Sequence, residues 1–164
     1  MATAPISAHS LPARPCNGCT VCCTVMHVAE LHKPAYHLCP QVGPTGCAVY
    51  ATRPPVCRVW HCLWQLSDFP EPLRPDRAGI VLDVANLPPQ IAAVVPRHAQ
   101  VVVAMEVVPD AFEWPRAQEL LRLLTHREML VLLKTTTGKR YFLGPQAEIV
   151  ALQAALQRHP HDAI

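Results

Sequence analysis

All eight cysteines of this chain lie between Cys16 and Cys62, and the rest of its 164 residues contain none. Cysteines that serve only as small apolar side chains would be distributed over every strand and helix of a core. The clustering therefore indicates that this window needs sulfur for its chemistry. The candidate metal ligands are Cys16, Cys19, Cys22, Cys23, Cys39, Cys47, Cys57 and Cys62.

The first four cysteines form a Cys-x-x-Cys-x-x-Cys-Cys run. Two thiolates separated by two residues can fold back on one metal ion, with metal–sulfur distances of about 2.3 Å. Pairs of this kind hold tetrahedral zinc, and a similar run begins the wrapping of iron–sulfur clusters in small ferredoxins. The spacing predicts a metal site and leaves open whether it holds zinc, iron or an iron–sulfur cluster.

The adjacent pair Cys22-Cys23 limits how the ligands can be shared. Neighbouring side chains diverge by about 100° in a helix and about 180° in a strand. We therefore do not expect both thiols to bind one mononuclear ion. Two metal sites, or one multinuclear cluster, would share the first cysteine segment.

Cationic side chains are expected near these thiols, because eight thiolates around two divalent ions leave excess negative charge. Arg53 and Arg58 lie close to Cys57 in sequence, and we predict that they offset this charge. Four histidines also lie in the window, but eight thiols suffice for two tetrahedral sites. We expect His27, His32, His37 and His61 to be loop residues rather than ligands.

Charge and hydropathy exclude several classes of partner. The net charge is +2 and the basic residues are dispersed, so we do not expect nucleic-acid binding. The N-terminus has neither a basic start nor an apolar run typical of a secretory signal, and no stretch approaches the roughly 18 apolar residues of a membrane span. We expect a cytoplasmic protein, in a compartment where clustered cysteines bind metal more often than they form disulfides.

No catalytic constellation is visible in the sequence. Ser67-Asp68, Glu71 and Asp110 are isolated, and nothing resembles a nucleophile–base pair or two cooperating carboxylates. If all eight thiols bind metal, no nucleophilic cysteine remains. We therefore favour a protein that is not an enzyme.

The predicted fold class is α+β, with an N-terminal cysteine-rich, loop-rich metal-binding module packed on a small C-terminal α+β unit. We assign residues 1–15 to a flexible lead, 16–76 to the cysteine module with a proline-rich linker, and 77–164 to the α+β unit. Short helices are predicted at 25–31 and from Pro54 or Pro55. Strands are predicted at 79–84, 91–95 and 101–108, a helix from Pro115, a hairpin around 136–139 and a last helix after Pro145.

The cysteine pattern resembles the YkgJ-type family, which is described by its CxxCxxCC motif as a zinc- or iron-chelating domain. The similarity covers residues 16–84 and includes Lys33-Pro34, Gly46-Cys47, Tyr50, Arg53-Pro54, Cys57-Arg58, Trp64 and Arg74–Arg77 besides the other cysteines. The resemblance implies metal chelation and implies no reaction.

Three functional hypotheses follow. The first is a metal-binding protein that chelates zinc or iron through its eight cysteines. The second is an iron–sulfur protein that acts in electron transfer or as an enzyme subunit. The third is a protein-interaction module in which zinc only stabilises the fold.

Overall fold

The computed structural model describes residues 14–162 of the chain. They form a mixed α+β fold with a four-stranded sheet, a two-stranded sheet and short helices, which confirms the predicted class. Residues 1–13 of the predicted flexible lead lie outside the described residues. No helix in the described part is long and apolar enough to cross a membrane.

The larger sheet has the strand order β3-β4-β5-β6. Neighbours β3 and β4 are antiparallel, β4 and β5 are parallel, and β5 and β6 are antiparallel. The strands are β3 (Ile80–Asn86), β4 (Gln100–Glu106), β5 (Val131–Lys134) and β6 (Arg140–Leu143). The central strands are rich in buried valine and leucine, as β-branched residues favour a pleated surface covered by other elements.

Helices cover this sheet and connect its strands. They are α4 (Pro89–Ala92), α5 (Pro115–His126) and α6 (Gln146–Arg158). In α5 the predicted apolar stripe is buried, and Pro115 occupies the first turn, where its missing N–H costs nothing. The buried residues form two clusters, one that includes the apolar stripe of α5 and one that includes the buried residues of α6.

The predicted strand at 91–95 is wrong. Pro88 and Pro89 start the helix α4 instead; Ile91 lies in this helix and Val95 in the turn that follows it, and both are fully buried. A short apolar run has the same composition in a buried strand and in a buried helix, and proline at the first helical positions decides between them here. The order after the linker is therefore β-α-β-α-β-β-α.

The cysteine window contains only short elements. These are α1 (Cys22–Val25), β1 (Val42–Gly43), β2 (Gly46–Cys47) and α2 (Pro55–Val59), with 3₁₀ turns at Ala29–Leu31 and Tyr50–Thr52. The predicted helix at 25–31 is interrupted, because Met26 is extended. Little regular structure means that this part of the chain relies on side-chain contacts for its shape.

The cysteine window packs directly on the α+β unit. Val25, Cys62 and Trp64 belong to the same buried cluster as α5. The backbone N–H of Leu63 donates to Leu82 O in β3 at 2.8 Å, and the Trp60 indole donates to Asp83 at 3.1 Å. These contacts place the last cysteine at the edge of the main core.

The segment predicted as a proline-rich linker is structured. It contains a 3₁₀ turn, Glu71–Leu73, and the helix α3 (Pro75–Ala78). Phe69 and Leu73 are buried in the main core. Arg14, at the start of the described part, is also held, because its guanidinium donates to Phe69 O and Trp64 O and stacks 3.7 Å over the Trp64 ring.

Candidate metal centre

The eight thiols surround two cavities. The larger, of about 410 Å³, is lined by seven of them, and the smaller, of about 20 Å³, by four. Cys62 faces only the small cavity, and Cys16, Cys19 and Cys22 lie between the two. We call these four the inner group. The outer group, which faces only the large cavity, is Cys23, Cys39, Cys47 and Cys57.

Electrostatic effects among the thiols follow this division only in part. The groups that act on Cys62 include Cys19 and Cys16. The groups that act on Cys57 include Cys23, Cys39 and Cys47. Cys23, however, also raises the pKa of Cys16 and of Cys22, so the two groups face different cavities but are linked electrostatically through Cys23.

Tight turns present the inner thiols. The Cys19 N–H donates to Cys16 O at 3.0 Å, and Gly18 between them has φ +80°. That left-handed conformation favours glycine, since a Cβ is strained there. Cys22 then begins α1, whose first turn directs it and Cys23 to the two sides of the same helix.

The outer thiols come from four separate short segments. Cys39 is brought to the first segment by its N–H, which donates to Cys23 O at 2.9 Å. Cys47 lies on β2 opposite Val42, and Cys57 lies in α2. The helix α2 ends at Val59, so Cys62 is beyond it and reaches the other group.

The Cys22 and Cys23 thiols interact although they are adjacent in sequence. A hydrogen bond between them, reinforced by burial, raises the pKa of Cys22. The same hydrogen bond, with help from the cations of Lys33 and Arg53, lowers the pKa of Cys23 to about 7. The two thiols therefore interact directly, although only Cys22 also lines the small cavity, and whether they bind different metals stays a prediction.

Burial makes most of the other thiols weak acids. It raises the pKa of Cys62 to about 11 and raises the pKa of Cys16, Cys19 and Cys57. These thiols carry their protons at neutral pH when no metal is bound. Any metal that binds them must displace those protons.

Lys33 is a site residue that our sequence analysis did not assign. It is 2% exposed, and its ammonium donates to Thr24 O and Pro34 O, both at 3.1 Å, and to Met26 O. Burial lowers the pKa of Lys33, while nearby Cys39 and Cys23 favour its charged form. The similarity of Lys33-Pro34 to the cysteine-cluster family was the one available signal.

The arginines near the thiols differ from the predicted pair. Arg53 lowers the pKa of Cys16 and of Cys23, and its guanidinium stacks 3.8 Å over the Tyr50 ring. Arg58 is exposed and has no hydrogen bond or ion pair with the described residues, so its role stays a prediction. Arg74, which we did not predict, is 9% exposed and lies near Cys16 and Cys19.

Gln65 is a second residue that sequence reasoning missed. Its side-chain amide donates to Cys16 Sγ at 3.3 Å and to Arg14 O at 2.8 Å, and its carbonyl oxygen accepts from Cys62 Sγ at 3.8 Å. The residue is 7% exposed. One amide therefore contacts two inner thiols that are far apart in sequence.

Two of the four histidines in the window, His27 and His61, line the large cavity. The ring of His61 contacts Val59 O at 3.1 Å, and the ring of His37 contacts Ala35 O at 3.0 Å. Both contacts are local and typical of loop histidines.

The donor set fits zinc or iron in its chemistry. All eight cysteines lie in the described part and none is in a disulfide. Soft thiolates select these metals, and cations surround both groups. As the side chains stand, no group of three or more His, Cys, Asp or Glu among residues 14–162 could hold a metal ion.

We compared the chain with family models, with curated proteins and with solved structures, and none of the three comparisons found a match. The resemblance to the cysteine-cluster family therefore stays a prediction.

Proposed function

We propose that this protein binds zinc or iron through its eight cysteines, with one site in the inner group and one in the outer group. The observation that carries the proposal is the division of the thiols into two groups of four around two cavities. Four thiols are the number that a closed tetrahedral zinc or iron site requires.

The charges around the thiols support this proposal. Four thiolates and one divalent ion carry a net charge of about −2, which must be offset nearby. Lys33 lies beside the outer group, Arg74 beside the inner group, and Arg53 acts on one thiol of each. Arg74 is also paired with Asp76 and Glu71, whereas the Lys33 ammonium donates to backbone carbonyls and would be the cation that gains most from thiolates nearby.

The roles of the side chains follow from their positions. The cysteines would lose their protons and donate sulfur electron pairs, and the Gln65 amide would donate to the Cys16 sulfur and orient it. Lys33 and Arg53 would lower the energy of the anionic sites. When bound, the metal would supply cross-links between short segments that otherwise have few regular hydrogen bonds.

An iron–sulfur cluster is a second candidate for the outer group, and the size of the large cavity favours it. A volume of about 410 Å³ exceeds what one ion needs. In this alternative Cys22 of the inner group would join the outer thiols, because its contact with Cys23 would let both bind neighbouring irons of one cluster.

Elemental analysis of anaerobically purified protein, with a visible absorption spectrum of the same sample, tests both candidates. About two zinc or iron ions per chain without acid-labile sulfide would support the two-site proposal. Several irons with equal sulfide would support the cluster instead. Protein that stays metal-free after refolding with either metal under reducing conditions would contradict both.

Two double variants test which group of cysteines holds each metal. Cys16→Ser with Cys62→Ser would remove one metal, and Cys47→Ser with Cys57→Ser would remove the other. Loss of both metals from either double variant, in protein that keeps its far-ultraviolet circular dichroism, would contradict the division into two independent sites.

A further inference from the structure

This inference rests on the proposed function. We propose that the two sites release their metals at different rates: the outer group transfers its metal to thiol-bearing acceptors, and the inner group retains its metal. In this assignment the outer metal is cargo and the inner metal is structural. The proposal depends on where each thiol is attached in the fold.

The inner group is held by the main core. Cys62 is the one cysteine among the described residues that belongs to a buried apolar cluster, and it is 8% exposed. Its neighbour Leu63 is hydrogen-bonded to Leu82 of β3. To withdraw Cys62 from a metal, the chain must move away from the sheet and expose part of that core.

The small cavity leaves no room for an incoming ligand. Its volume is about 20 Å³, and its walls include Trp64, Gln65 and Val81. Trp64 and Val81 are 2% and 1% exposed. The other three inner thiols also line the large cavity, so an acceptor could approach an inner metal from that side, but it would have to displace buried side chains to replace Cys62 as a ligand.

The outer group is anchored differently, although its Cys39 is as buried as Cys62, each being 8% exposed. None of its four thiols belongs to a buried cluster of the described residues. Cys47 lies on a two-residue strand and Cys57 on a helix of five residues. These segments can shift without disturbing the sheet, and the large cavity beside them has the volume for a small thiol or a cysteine side chain.

The mouth of the large cavity has the chemistry that a thiolate acceptor requires. Lys33 and Arg53 lie in its wall and attract an anionic sulfur. Tyr50 and Val56 also line it and are 47% and 39% exposed, so they can contact the carbon part of the acceptor.

The exchange itself needs no oxidant or reductant. The acceptor thiol loses its proton and its sulfur forms a bond to the metal, while the bond from one outer cysteine breaks. That cysteine sulfur keeps its electron pair and takes up a proton. Repetition of this step four times moves the metal and leaves four protonated outer thiols.

Metal release from the intact zinc-loaded protein to a chromogenic chelator tests the proposal. We expect two phases of equal amplitude, with the second slower by about tenfold or more. Cys47→Ser with Cys57→Ser should remove the fast phase alone, and Cys16→Ser with Cys62→Ser the slow phase alone. A single rate for both metals, or a fast phase that disappears only in the inner-group variant, would overturn the proposal.

A labelling experiment on the unaltered protein avoids variants that do not fold. After one equivalent of zinc has left, N-ethylmaleimide followed by peptide mass spectrometry should mark Cys39, Cys47 and Cys57 before Cys62. Simultaneous labelling of all eight thiols, or earlier labelling of Cys62, would contradict the proposal while leaving metal binding intact. A protein that binds no zinc would instead overturn the proposed function, and this inference with it.

Discussion

The side-chain amide of Gln65 lies between two inner thiols, 3.3 Å from Cys16 Sγ and 3.8 Å from Cys62 Sγ. Groups that hydrogen-bond to metal ligands orient them, and their loss commonly weakens metal binding by about 10- to 100-fold. Gln65→Leu keeps the packing volume and removes both contacts. We expect it to weaken zinc binding at the inner site by about tenfold, as measured by competition with a chelator. Gln153→Leu, at an exposed position of α6, is the control, and equal affinities for the two variants would mean that Gln65 only fills space.

Lys33→Met should destabilise the protein even without metal. The ammonium satisfies three backbone carbonyls in a buried place, and a methionine leaves them without a donor. We expect a loss of about 3 kcal/mol in the free energy of unfolding by urea. Exposed Lys139→Met should change it little, so similar losses for both variants would contradict the role given to Lys33.

Cys23 should be the most reactive thiol of the metal-free protein near neutral pH. The hydrogen bond from Cys22, with Lys33 and Arg53, lowers the pKa of Cys23 to about 7, so its thiolate fraction rises as the pH rises from 6 to 8. Alkylation follows the thiolate, and its rate at Cys23 should increase by about tenfold over this range. Cys62, whose pKa is raised to about 11, should stay unmodified.

Peptide mapping after timed treatment with iodoacetamide measures both rates. Cys22→Ala removes the hydrogen bond. It should move the midpoint of the pH dependence of Cys23 alkylation to higher pH. A midpoint already near the ordinary thiol value of 9.0 in the unaltered protein would contradict the contact between the pair.

Gly79→Ala should be costly. Gly79 ends α3 with φ +74°, and a Cβ there would lie 2.7 Å from Trp114 Cε3 and 2.9 Å from Ala111 Cβ. Strain and overpacking together should lower the free energy of unfolding by about 3 kcal/mol. Gly138 also has a positive φ but open space around it, so Gly138→Ala should cost only about 1 kcal/mol. Equal melting temperatures for the two variants would contradict this prediction, because they would show that Trp114 and Ala111 shift to make room for the added Cβ.

A buried contact between His98 and Glu148 connects α6 with the turn before β4. His98 Nδ1 lies in contact with Glu148 Oε2, while His98 Nε2 donates to Glu128 O at 2.9 Å. Since a carbonyl oxygen only accepts, Nε2 carries a proton. The two side chains are 8% and 12% exposed, so little solvent screens them.

Glu148→Gln should lower the free energy of unfolding by about 2 kcal/mol, because it leaves the imidazole without its charged partner. The metal content should not change, since this pair lies on the α+β unit. Exposed Glu119→Gln is the control. A loss of metal in Glu148→Gln protein that remains folded would show that the two parts of the chain are coupled more strongly than their contacts suggest.

The α+β unit was largely predictable because its elements carry local patterns. Ala117, Leu120, Leu121 and Leu124 recur at helical spacing and are buried in α5 as predicted. The hairpin around Gly138 joins β5 and β6, because glycine at the turn accepts a positive φ. Only the short run at 91–95 misled the analysis, since too few residues separate a helical period from a strand period.

The environment of the thiols was not predictable in the same way. Lys33 and Gln65 are polar residues in segments without periodicity, and such residues are usually exposed. Gln65 is held by Arg14 and Cys16, which are distant in sequence, whereas the Lys33 ammonium is held by the backbone carbonyls of Thr24, Met26 and Pro34 nearby. Arg58 lies beside Cys57 in sequence and is exposed, whereas distant Arg74 lies near the inner thiols.

The sequence by itself determined that eight thiols are concentrated in one loop-rich segment ahead of an α+β unit, because clustering and periodicity are local properties of a chain. Only the tertiary structure decided how the thiols divide into an inner and an outer group. That division depends on where α2 ends, on the pairing of Leu63 with β3, and on which cations become buried beside sulfur. Each is a long-range contact whose free energy depends on packing that no short stretch of sequence encodes.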